Sequence, residues 1–98
     1  MRVPHKIKLG GYEIKCHSKK KLLGANGEEL WGEYDKEKNT VWLQAGMPKQ
    51  RKKEVFFHEL LHAIDDIYAL RLGERKVGLL AVTIIDLIKT NHIDLINE

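Results

Sequence analysis

Val55-Phe56-Phe57-His58-Glu59-Leu60-Leu61-His62-Ala63-Ile64-Asp65-Asp66-Ile67 is the stretch whose period settles what kind of chain this is. Val55, Phe56, Leu60, Ala63, Ile64 and Ile67 recur at helical spacing and form one apolar stripe, with Phe57 and Leu61 beside it. The strand-like segments upstream of Gly46-Met47-Pro48 instead alternate in period two. The change of period at Pro48, a residue suited to a helix start, divides the chain into a strand-rich first half and a helical second half.

Inside the helical stretch, His58-Glu59-Leu60-Leu61-His62 reads H-E-x-x-H. Residues four apart on a helix lie one turn above the other on one face, with Cβ atoms about 5–6 Å apart. Two imidazoles so placed can share one ion and supply half of a tetrahedral Zn²⁺ site. Glu59, at the edge of the same face, can reach a water on that ion without displacing either histidine, where a general base is needed.

The 98 residues make one domain, 1–98, with a single modest core. Apolar content of 43% and charged content of 32% describe a globular chain and exclude a disordered one. The N-terminus MRVPHKIKLGGYEIK is basic but has no apolar run, so no secretory leader is expected. Val77 to Ile88, the longest apolar region, is interrupted by Gly78, Thr83 and Asp86 and is too short to span a bilayer. The single cysteine, Cys16, excludes an internal disulfide and fits a reducing cytoplasm. It reads as a strand residue rather than a thiolate cap on the metal.

Lys6 to Leu9 and Tyr12 to Cys16 flank the hairpin pair Gly10-Gly11. After the lysines at 19–21 and a loop through Gly24 and Gly27 come two further strands, Leu30 to Tyr34 and Thr40 to Gln44, joined by a polar hairpin. A small antiparallel sheet is expected. The first helix should stop before Gly73. A second, Glu74 to about Asn91, carries Val77, Leu80, Ala81, Ile84, Ile85 and Ile88. Each helix, apolar over a broad face, is expected to pack on the other and on the sheet, an α+β arrangement.

A third ligand is required. The longer form H-E-x-x-H-x-x-G-x-x-H is excluded, because Asp65 and Tyr68 stand where it needs glycine and histidine. Carboxylates remain. Glu74 opens the second helix, Asp66 lies one turn beyond His62, and Asp86 becomes the better placed if the first helix runs unbroken to Leu70. In that case the helix climbs about 12 Å past His62.

LWGEYD (30–35), the strand NTVWLQAG (39–46), the helix VFFHELLHAID (55–65), GERKVGLLAV (73–82) and TNHIDLI (90–96) together resemble the small zincin-type proteins of phage and bacterial genomes. These are grouped with the ImmA/IrrE-type metallopeptidases and the minimal gluzincins. The resemblance spans residues 30–95, with the pentad its specific piece. It implies a zinc-dependent peptidase acting on a peptide or protein, with a glutamate at the start of the next helix as third ligand, a place Glu74 matches. The implied chemistry is amide hydrolysis with Glu59 as general base. The substrate would add as a strand along a sheet edge, for which Thr40 to Ala45 is the expected edge. Tyr68 and His92 are the candidates for stabilising the oxyanion.

The principal rival is a zinc-containing binding or regulatory protein without hydrolytic activity. Seventeen Lys+Arg against fourteen Asp+Glu give net +3, and Lys49, Arg51, Lys52 and Lys53 cluster before the H-E-x-x-H helix, where nucleic acid could bind. The linear sequence offers no recognition helix, no RNP-type aromatic motif and no second basic stripe, so the cluster reads as a solvated face.

Overall fold

Gly10 and Gly11, both at positive φ, turn β1 (Lys6–Leu9) into β2 (Tyr12–Lys19). Gly10 is also a place where a side chain would not fit, since a Cβ there would run into the hydroxyl of Tyr68. The computed structural model describes residues 3–92; the last four residues of TNHIDLI lie outside them. Two strands follow, β3 (Gly32–Asp35) and β4 (Thr40–Gln44), then two helices, α1 (Lys49–Tyr68) and α2 (Gly73–Thr90). The class is α+β, as the change of period implies.

The sheet is mixed rather than antiparallel. Its order is β1-β2-β4-β3, with β2 and β4 parallel and the other two pairs antiparallel. A parallel pair needs a crossover. Here the segment from Lys20 to Trp31 carries the chain past the end of β4's position, so that β3 forms the far edge and β4 returns into the gap. Asp35 closes that return turn by accepting the backbone N–H groups of Glu37 (3.1 Å) and Lys38 (3.2 Å), an Asx-type turn. Pairing with β4 is also why β2 runs on to Lys19, past the expected end at Cys16: residues 15–19 lie opposite 40–44. Leu30 is drawn out of β3 because its N–H bonds the carbonyl of Leu22 instead.

Alternation along the strands sends Ile14, Cys16, Val41 and Leu43 to one face, where Phe56 and Ala63 of α1 close over them. Leu61 of α1, on another side of that helix, packs with Val77 and Ala81 of α2. α1 is therefore sandwiched, and α2 packs chiefly on α1 instead of also covering the sheet. One consequence is that Leu80, read as a core residue, is 40% exposed along with Leu79, Val82 and Leu87. Phe56 is 2% exposed, and truncation of such a residue to alanine costs about 3–5 kcal/mol.

α1 ends four residues before Gly73's neighbour Leu72. Ala69 adopts the left-handed conformation, and the N–H groups of Ala69 and Leu70 bond back to the carbonyls of Asp66 and Asp65. Arg71 and Gly73 are left-handed as well. The Asp65 carboxylate accepts the N–H of Leu72 at 3.0 Å, holding the start of α2 against the side of α1. Among the described residues, no helix is long and apolar enough to cross a membrane.

Candidate metal centre

His58 and His62 project from the face of α1 that meets neither the sheet core nor Val77. Their rings stand edge to face, with centroids 4.9 Å apart and planes at 65°. The two Nε2 atoms are 3.2 Å apart. The reversal at residues 69–72 brings Glu74 down to them. Its Oε1 lies 2.6 Å from Nε2 of His58 and its Oε2 lies 2.8 Å from Nε2 of His62. α1 does run about 9 Å beyond His62, but the chain doubles back, so a long first helix does not carry Glu74 away.

Among the described residues this is the one gathering of three His, Cys, Asp or Glu side chains whose ligating atoms lie within 4.8 Å of one another. Its donor chemistry suits a cation better than it suits protons. If both Nε2 atoms carry hydrogen, each donates to one oxygen of Glu74, but two N–H groups then face each other at 3.2 Å. If one does not, that nitrogen meets a carboxylate oxygen with no proton between them. With Glu74 ionised no tautomer satisfies all three contacts, whereas a cation at the centre turns all three groups into acceptors. Bonds of about 2.0–2.1 Å at tetrahedral angles put ligand atoms about 3.3 Å apart, close to the spacing of the two nitrogens.

The other acids named from sequence are not in this group. Asp86 is exposed, three turns further along α2, and accepts the Thr90 hydroxyl at 3.4 Å. Asp66 lines the same cleft but accepts the hydroxyl of Tyr34 at 3.1 Å. Cys16 faces the sheet core, and burial pushes its thiol up to about 11, so it stays protonated and away from the triad.

The triad opens into a cleft of about 440 Å³, lined also by Gly32, Glu33, Tyr34, Lys36 and Glu59. β3 supplies three of these residues, and its approach to α1 depends on Gly32. A Cβ there would collide with Val55 and come within 3.0 Å of the Glu59 Cγ. Glu59 is thus wedged between helix and sheet beside the triad. Burial raises the pKa of its carboxyl, His58 and His62 pull it down, and Glu74 and Glu33 push it up.

Three expectations change here. β4 is an interior strand, so Thr40 to Ala45 offers no free edge; the free edge beside the triad is β3. Tyr68 does not line the cleft, its hydroxyl lying against the Gly10 turn. Nor does His92, which follows the far end of α2. The cleft's hydroxyl belongs to Tyr34, whose burial, hydrogen bond to Asp66 and proximity to Asp66 and Asp35 hold it protonated, up to about 12. Sequence reasoning missed Tyr34 and Lys36. Only the strand order places them there, although LWGEYD lay within the resemblance.

No protein-family model, curated protein or solved structure matches the chain. What the fold and site define is an α+β protein with a His-His-Glu group able to hold a metal ion, compatible with the zincin plan.

Proposed function

We propose that this protein is a zinc-dependent peptidase, with His58, His62 and Glu74 as the protein's three ligands and Glu59 as general base. The observation that carries the proposal is the convergence of both histidine Nε2 atoms on the Glu74 carboxylate, with Glu59 in the same cleft. Two neutral imidazoles and a carboxylate are the ligand set of catalytic zinc. When bound, the ion supplies Lewis acidity and lowers the pKa of a water towards about 7.

The chain's own residues supply the rest. Glu59 accepts a proton and returns it to the leaving amine. Its burial serves that task, because a carboxylate whose pKa is raised is a stronger base. The Lys36 ammonium is the donor available to a carbonyl oxygen in the cleft, and the Tyr34 hydroxyl, held neutral, becomes a second one when it turns away from Asp66. β3 is an edge strand, so an extended peptide adds beside Gly32–Asp35 as a fifth strand and crosses the cleft. A buried free thiol at Cys16 accords with a cytoplasmic setting. Hydrolysis of a peptide library by zinc-loaded wild-type protein, against Glu59→Gln and chelator-treated samples, tests the proposal.

A further inference from the structure

The strand order also does something to the other face of the sheet. Both helices lie on the side of Ile14, Cys16, Val41 and Leu43, so the alternate residues form an outer face that α1 reaches only at one corner, through Arg51 of its first turn. Cross-strand pairing arranges that face in rows. Lys19 stands opposite Gln44, and the N–H of Gln44 bonds the carbonyl of Trp31 at 2.8 Å, which continues the row to Trp31. In the next row His17 stands opposite Trp42 and Trp42 opposite Glu33. Beyond it Lys15 stands opposite Thr40, with Lys6 on its other side.

Trp31, just before β3 and at the rim of the face, is thereby a diagonal neighbour of Trp42, and each ring carries a cation. The Lys19 Nζ lies 5.1 Å from the centre of the Trp42 ring, and the Arg51 guanidinium 5.1 Å from that of Trp31. The His17 ring sits 5.4 Å from Trp42 at 44°. Trp31 is 50% exposed. Lys6 stands directly opposite Lys15, with its ammonium 3.9 Å from the Glu13 carboxylate. Lys20 extends the positive band past the end of β2, and Lys21 beyond it pairs with Glu29 at 3.9 Å. This is the second basic stripe that the linear sequence conceals, because its members come from different strands.

We infer that this outer face binds single-stranded nucleic acid, with bases stacked on Trp31 and Trp42 and phosphates held by Lys15, Lys19 and Arg51. The charge calls for a polyanion. The rings call for one whose bases show their flat faces, which a duplex hides. Stacking is indifferent to base identity, so binding is sequence-tolerant. Glu33 and Asp35 repel phosphate from the β3 edge, so the strand follows β2 and β4. The site is separate from the triad and does not depend on it.

The test uses the full chain and fluorescein-labelled oligothymidylate and oligouridylate of about fifteen nucleotides, the upper end of single-strand site sizes. Binding is measured by anisotropy and tryptophan fluorescence. Both strands are expected to bind more tightly than a duplex and to quench tryptophan emission. With three or four phosphate contacts, affinity should fall about 20- to 50-fold between about 50 and 200 mM salt. Trp31→Ala, at a half-exposed position, should weaken binding about five- to a hundredfold. Lys15→Glu with Lys19→Glu should weaken it further and flatten the salt dependence. Lys49→Glu with Lys53→Glu should stay near wild type, all with unchanged circular dichroism. Absence of binding at the lower salt, equal affinity for duplex, or affinity unmoved by both outer-face variants would overturn the inference.

Discussion

Glu74, the second residue of α2, sets its Oε1 2.6 Å from the Nε2 of His58, sixteen positions earlier in the chain. That contact exists because α1 stops at Ala69 and Asp65 holds the N–H of Leu72. It makes Glu74, and neither Asp66 nor Asp86, the third donor. Purified protein should carry about one Zn²⁺ per chain, the stoichiometry of a single three-ligand site. Glu74→Ala should lose zinc affinity by more than about 100-fold, the upper end of what loss of a group bonded to a ligand costs, whereas Asp66→Ala, whose carboxylate bonds Tyr34, should have a smaller effect and Asp86→Ala should be neutral. Competition with a chromogenic chelator measures all three. Loss of metal in Asp86→Ala with retention in Glu74→Ala would refute the assignment.

Gly32 governs how closely α1 approaches β3. Gly32→Ala forces a methyl into Val55 and the Glu59 stem, and overpacking of this kind costs about 1–3 kcal/mol. Urea denaturation should show that loss. Any cleavage activity should fall with it, since the Glu59 carboxylate moves. A variant as stable and as active as wild type would mean that the helix is free to shift.

How much of this was legible in the sequence follows from what fixes each feature. The histidines are set by a single helical turn, so their meeting is local and readable from His58 and His62 alone. Glu74 is different, because its distance from them depends on left-handed backbone at Ala69 and Arg71, residue types that do not announce such a turn. The strands themselves were visible from alternation, yet β4's place between β2 and β3 was not. A crossover running from Lys20 to Trp31 with no periodic pattern decides that order, and with it which strand is the edge and whether Tyr34 lines the cleft. The same gap hid the outer face of Trp31 and Trp42.

Cys16 gives a pH dependence independent of any metal. Its thiol ionises near 9.0 unfolded and about 11 folded. Below 9 both states bind the proton, and between 9 and 11 only the folded state keeps it, so stability should fall as pH rises across that interval. Cys16 lines a cavity of about 260 Å³ and is not sealed in the core, so the loss is of order 1–2 kcal/mol. Cys16→Ala should make the curve from pH 9 to 10 shallower than that of wild type, the remaining slope coming from groups such as Tyr34. A wild-type curve already flat there would contradict the assignment of a shifted thiol.

Tyr34 can donate from the cleft because its hydroxyl stays neutral. Tyr34→Phe should retain zinc and fold but lower kcat about 10²–10³-fold, as removal of an oxyanion donor does. An unchanged kcat would leave Lys36 as the donor, which Lys36→Ala would then reveal.

The most direct test of the zinc peptidase proposal is the rate of peptide-library cleavage by zinc-loaded wild type and Glu59→Gln, measured side by side with equal metal content. Glu59 is not among the three converging donors, so the substitution should leave zinc bound while removing the proton acceptor. The expected result is metal-dependent cleavage by wild type and a fall of about 10²–10⁴-fold in the variant. Equal cleavage by both, or cleavage that survives removal of the metal, would contradict it.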